Sequence, residues 1–156
     1  MDVVDRHTRS RMMSGIRGKN TKPELVVRSA LHKLGYRFRL HYPGLPGKPD
    51  IVLPKHRAII LVHGCFWHGH DCHLFKWPAS RPDFWRGKIT GNMRRDKQRI
   101  TAYRQAGWKT LIIWECSLKG KHRLPVEEVT NSAVEWLLHS DTDSCISGLP
   151  ATNGQS

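Results

Sequence analysis

Acidic residues are scarce in this chain. Its 156 residues hold 13 Asp plus Glu against 26 Lys plus Arg, a formal net charge of +13 and a pI of about 10.1. That shortage of carboxylates points to a polyanionic partner, with nucleic acid foremost, over a merely soluble basic protein. Also lacking is any apolar run long enough to span a bilayer, so no membrane partner is expected. Met1-Asp2-Val3-Val4-Asp5-Arg6 does not have the apolar segment of a signal peptide. Cysteine is limited to four residues, which in a reducing cytoplasm favour metal binding over disulfides. No internal repeat is present. The length suits one domain with a normal core.

The positive charge is uneven. Residues 86 to 104 carry Arg86, Lys88, Arg94, Arg95, Lys97, Arg99 and Arg104 against Asp96 alone. Residues 1 to 20 read as a mobile basic arm. Thr21-Lys22-Pro23-Glu24 is a helix start, with Thr21 as cap and Glu24 completing a capping box. Val27, Ala30, Leu31 and Leu34 follow at helical spacing, and Gly35 stops the helix. Tyr36, Phe38 and Leu40 alternate with polar residues as a half-buried strand. A Pro- and Gly-rich turn leads to Asp50-Ile51-Val52-Leu53, which reads as a hairpin with the apolar run at 58 to 62. Residues 64 to 82 read as a loop. A helix is predicted from about Pro82 to Ala106, with a break near Gly91, then a buried strand from Trp108 to Trp114. Pro125 opens a last helix. Composition from Ser140 onward offers little to bury and predicts a disordered tail over 140–156, leaving 21–139 as the folded domain. The order of elements predicts a mixed α/β domain, a central sheet flanked by helices.

The chemistry concentrates in Val62 to Cys72, where three histidines, two cysteines and the pair Phe66-Trp67 share eleven residues. Cys65, His70, Cys72 and Cys116 form a plausible tetrahedral set for a structural Zn²⁺. Ordinary buried cysteines are the alternative, and His63, His68 and His73 compete as ligands. Asp50 heads an apolar strand, where a carboxylate can hold Mg²⁺ or simply stabilise a turn. Asp96 lies on the apolar stripe of a basic helix and needs a partner. That partner is either a basic side chain or a histidine that Asp96 orients as a general base, with His68 the natural candidate. Glu24 is the acid of the capping box, and from the first turn of its helix it can also point at an active site. Phe66, Trp67 and Trp85 are either core or a surface that stacks on bases.

Taken together, Gly47-Lys48-Pro49-Asp50, His63-Gly64-Cys65-Phe66-Trp67-His68, Cys72, Phe84-Trp85, Asn92 to Asp96 and Trp114-Glu115-Cys116 resemble the very short patch repair endonucleases of bacteria. The resemblance runs from about Thr8 to Trp136. It implies a restriction-endonuclease-like fold and Mg²⁺-dependent nicking of one strand of duplex DNA at T:G mismatches left by deaminated 5-methylcytosine. By the same resemblance Asp50 and the main-chain carbonyl of Val62 match the Mg²⁺ ligands, where many relatives have Thr in place of Val62. His68 matches the general base paired with Asp96, and His63 and Glu24 match further active-site residues. Cys65, His70, Cys72 and Cys116 match the zinc ligands. Phe66, Trp67 and Trp85 match the aromatics that wedge into DNA, with Arg94 and Arg95 on the DNA side. The implied protein is a cytoplasmic monomer, nucleoid-associated when bound to DNA, with mismatch-repair proteins as candidate partners. A non-catalytic zinc-stabilised DNA-binding module and a restriction nuclease cutting both strands are the competing expectations.

Overall fold

The computed structural model describes residues 21 to 149. The basic arm expected over residues 1 to 20 lies outside them, as do residues 150 to 156. Helix α1 (Lys22–Lys33) begins where the sequence predicts, with the Glu24 N–H donating to Thr21 Oγ1 at 3.4 Å. Gly35, at φ +91°, follows its last turn. The Thr21 side-chain cap is worth about 1 kcal/mol.

Five strands form one mixed sheet in the order β1-β2-β3-β4-β5. The expected hairpin is present: β2 (Ile51–Leu53) pairs antiparallel with β3 (Ala58–His63), Ile51 opposite Ile60. Strand β1 is only Arg39–Leu40, antiparallel to β2 and exposed. The longer strand expected there is cut short at the sheet edge, although Tyr36 and Phe38 still pack against the core. Strand β4 (Lys109–Trp114) runs parallel to β3, with His63 opposite Trp114. Helix α2 (Pro82–Gln105) connects β3 to β4 and is continuous through Gly91, so the expected break does not occur. One interior glycine costs only about 1 kcal/mol, which a helix of 24 residues anchored by buried Ile89 and Tyr103 absorbs.

Alternation on β2 and β3 sends residues to opposite faces. Ile51, Leu53 and Ile60 join Leu111 and Ile113 under α1 and α3 (Val126–His139), where Val27, Leu31, Val129, Ala133 and Trp136 close the main core. Val52, Ile59 and Leu61 face the other way, with Leu45, Tyr103 and Trp108. The fold is thus an α/β sheet flanked by three described helices. None of the described helices is long and apolar enough to cross a membrane.

The disordered tail predicted from Ser140 is corrected over its first ten residues. Strand β5 (Ser144–Ile146) pairs parallel with β4, Leu111 opposite Ser144. The Thr110 N–H donates to Asp143 Oδ1 at 2.8 Å and Trp136 Nε1 to the Thr142 carbonyl at 2.7 Å. Strand addition satisfies main-chain groups whatever the side chains are, so the polar composition did not reveal it. Only Ile146 of this segment packs on the core.

Candidate active site

The parallel strands β3 and β4 end side by side, and the chemistry collects beyond their carboxyl ends, where open α/β sheets place ligands. A cavity of about 350 Å³ opens there. Asp50, Val62, His63, Trp67, His68 and Asp96 line it, together with Lys48, Arg99, Tyr103 and Glu115. Residues from the hairpin, the loop after β3 and α2 therefore converge, and Asp50, His63, His68 and Asp96 are brought together. Phe66, Trp85 and Glu24 do not line this cavity.

Asp50 precedes β2 and accepts a hydrogen bond from the Val62 N–H at 3.0 Å. Burial raises its pKa from 3.8 to about 6, against the lowering effect of the Val62 N–H, and nearby Glu24 raises it further. Glu24 is 1% exposed. Its Oε2 lies 3.4 Å from Arg28 Nη1 and 3.2 Å from His41 Nε2. Glu24, His41 and Asp50 each offer a ligand atom within 4.8 Å of the others. Two carboxylates so close and so dry repel each other, and a divalent cation would relieve that repulsion. The residues present therefore fit such an ion.

His68 Nδ1 lies 2.6 Å from Asp96 Oδ2, settling the partner that Asp96 needed. The carboxylate can only accept, so Nδ1 carries the proton and Nε2 is left able to take one. The His63 ring stacks flat on His68. Burial, with the neighbouring His68, lowers the His63 pKa from 6.5 to about 3, which keeps its ring neutral. Its Nδ1 is buried with no hydrogen-bond partner among the described residues.

Behind this site Cys65, His70, Cys72 and Cys116 gather, their ligand atoms all within 4.8 Å. His70 Nδ1 is 3.5 Å from Cys65 Sγ and 3.7 Å from Cys116 Sγ. Burial, then the neighbouring thiols, pushes the Cys65 thiol well above its usual range, and burial raises Cys116 as well. Main-chain N–H groups of Leu74 and Gly148 point at Cys72 Sγ and Cys116 Sγ at 3.4 and 3.2 Å. Three sulfurs, one imidazole and N–H donors to sulfur suit a closed tetrahedral Zn²⁺ site. Of the competing histidines, His68 pairs with Asp96, His63 stacks on His68 and His73 packs on His122, while the remaining thiol, Cys145, is exposed on β5.

Phe66, Trp67 and Trp85 form one cluster, with ring centroids 5.1 to 5.9 Å apart. None of the three is fully buried. Asn92 Nδ2 donates to the Trp67 carbonyl at 2.9 Å, and Asn92 Oδ1 accepts from Arg95 Nη2 at 2.5 Å. Arg94 and Arg95 are exposed on the same helix.

The sequence did not reveal three participants. His41 reads as a polar residue of an edge strand. Trp114 reads as core, yet it lies between His63 and His70. Glu115 accepts from the Cys65 N–H at 3.1 Å and also lines the cavity. Trp114 and Glu115 stand beside Cys116 in a string that carries the family resemblance, but that string assigns neither of them a role.

Comparison with known proteins shows which family the chain belongs to. A model of the family "DNA mismatch endonuclease Vsr" matches residues 1–74. The chain is 43% identical over 136 residues to DNA mismatch endonuclease Vsr of Escherichia coli (strain K12), covering 87% of each protein. It is 48% identical over 117 residues to Type II nicking enzyme V.XorIIP of Xanthomonas oryzae pv. oryzae, covering 75% of this chain and 86% of that one. Type II nicking enzyme V.NmeAIP of Neisseria meningitidis is 43% identical over 120 residues. The chain belongs to the DNA mismatch endonuclease Vsr family.

Proposed function

We propose that this DNA endonuclease nicks one strand of duplex DNA at a T:G mismatch, in a Mg²⁺-dependent hydrolysis. The observation that carries this reading is the convergence of two devices on one cavity: the buried Asp50 beside Glu24, and the His68–Asp96 pair. Nuclease chemistry needs one group to activate water and another to offset charge on the phosphate. A divalent cation held by Asp50 and the Val62 carbonyl would supply the second. His68 takes the proton from water at Nε2, and Asp96 holds its ring in the right tautomer. His63, neutral and flat against His68, keeps that ring in place.

Zn²⁺ held by Cys65, His70, Cys72 and Cys116 has no open position, so its role is to brace the loop that carries His68. The sheet with its catalytic carboxylate at a strand start supports a restriction-endonuclease-like fold. Phe66, Trp67 and Trp85 stack against bases at the mismatch, which opens more cheaply than a paired step. Arg94 and Arg95 contact phosphates. A monomer acting in the cytoplasm on duplex DNA accounts for these features, with mismatch-repair proteins as further partners.

Incubation with a duplex containing one T:G pair, with and without Mg²⁺, tests the reading against T:A and C:G controls. Mg²⁺-dependent nicking of one strand, confined to T:G, is expected. Binding without cleavage would favour a DNA-binding module, and cleavage of both strands of matched DNA a restriction nuclease.

A further inference from the structure

His41 is placed in an unusual way. Its backbone adopts the left-handed region, φ +48°, at a cost of order 1–2 kcal/mol for a residue other than glycine. Strain of this kind collects at functional sites. The His41 N–H donates to the Asp50 carbonyl at 3.2 Å, which ties it to the residue at the centre of the site. Its ring meets the Glu24 carboxylate, and its side chain is only 16% exposed. An imidazole nitrogen thus joins two buried carboxylates in one set of donor atoms.

We infer that His41 is a further protein ligand of the divalent cation held at Asp50 and gives that site a preference for Mn²⁺ over Mg²⁺. The inference rests on the reading of Asp50 as the cation-binding carboxylate. Magnesium takes oxygen ligands almost exclusively and keeps several waters, so two carboxylates alone make a site suited to it. An imidazole adds a softer donor, which transition metals accept and magnesium resists. The alternative is that His41 only balances the charge of Glu24.

The test uses DNA-free protein loaded with Mn²⁺. Pulsed electron paramagnetic resonance detects a directly bound imidazole nitrogen, and calorimetric titration gives affinities for Mn²⁺ and Mg²⁺. His41→Gln keeps a hydrogen-bonding group beside Glu24 but offers no imidazole. His41→Asn tolerates the left-handed backbone and guards against misfolding of the first variant. In the wild type a nitrogen signal is expected. In both variants it should vanish, with Mn²⁺ affinity falling about tenfold or more and Mg²⁺ affinity much less. His68→Gln should retain the signal. No nitrogen signal in the wild type, its persistence in the variants, or an equal loss of both ions overturns the proposal. Asp50→Asn should abolish binding of either ion; if it does not, the assignment of Asp50 itself has failed, and the proposal with it.

Discussion

His63 lies flat against His68, ring centroids 3.8 Å apart and planes 4° apart. The packing continues beyond them. His63 meets Trp114 edge-on at 5.3 Å, and Trp114 stacks on His70 at 4.0 Å. An unbroken run of rings therefore joins the His68–Asp96 pair to the Cys/His cluster. Packed aromatic rings resist displacement, so the Cys/His cluster and the candidate base share one support.

The burial of Asp50 and of His63 makes stability depend on pH in opposite senses. The folded state holds a proton on Asp50 up to about pH 6, where the unfolded chain lets it go near 3.8. Stability therefore falls as pH rises across that window. His63 takes a proton near 6.5 when unfolded but only near 3 when folded, so its contribution is lost as pH falls from 6.5. Asp50→Asn removes the first effect and leaves the second. Without divalent cations the variant should melt higher than wild type at pH 7.5, by up to about 3 kcal/mol. Its advantage should shrink toward pH 4. Melting curves in a chelator, pH by pH, check this, and a variant less stable at pH 7.5 would contradict it.

Removing the His68 ring should cost more than removing its partner. His68→Ala is expected to slow nicking by about 10²–10⁴-fold. Asp96→Asn should slow it less, because the ring survives with its tautomer no longer enforced. Single-turnover rates measured across pH separate the two, and equal rates for wild type and His68→Ala would remove His68 from the chemistry.

Zinc and stability should fall together. Cys116→Ser removes one ligand from the cluster, and metal binding is coupled to folding. Gly148→Ala probes the same centre from the segment after β5, since a Cβ there would sit 2.5 Å from the Cys116 carbonyl and 2.7 Å from that of His122. Main-chain atoms cannot yield as a flexible side chain can, so the segment must lift off Cys116 Sγ. Both variants should release zinc to a colorimetric chelator faster than wild type. Normal folding of a purified protein that carries no zinc would refute the four-ligand assignment.

Recognition should divide between aromatics and cations. Trp67→Ala is expected to reduce the preference for T:G over matched duplex, by about 1–3 kcal/mol per lost stack. Arg95→Ala should weaken both duplexes alike and flatten the salt dependence. Binding isotherms at two salt concentrations, with a melting curve for each variant, decide the matter. A Trp67→Ala protein that melts lower but keeps its preference would make the cluster a packing feature only.

Much of the fold and the site was legible locally. Helix starts at Thr21 and Pro82, the β2–β3 hairpin and the buried run at 109 to 114 follow from capping, proline position and apolar periodicity, which act over a few residues. The Cys/His string and the acid on a basic helix identified the cluster and the His68–Asp96 pair by chemical type. What sequence reading alone left open is which groups meet. Parallel pairing of β3 with β4 brings His63 and Trp114 together across 51 positions, and no local pattern encodes that register. The order of residues 140 to 149 depends on the free edge of β4, which exists only once the sheet has formed. His41 turns toward Glu24 because a left-handed backbone aims it there. The chain by itself determined the chemical groups and the short-range elements, because those depend on neighbours in sequence. Tertiary structure decided the partners, because distance in space between remote residues is set by the packing of the whole sheet.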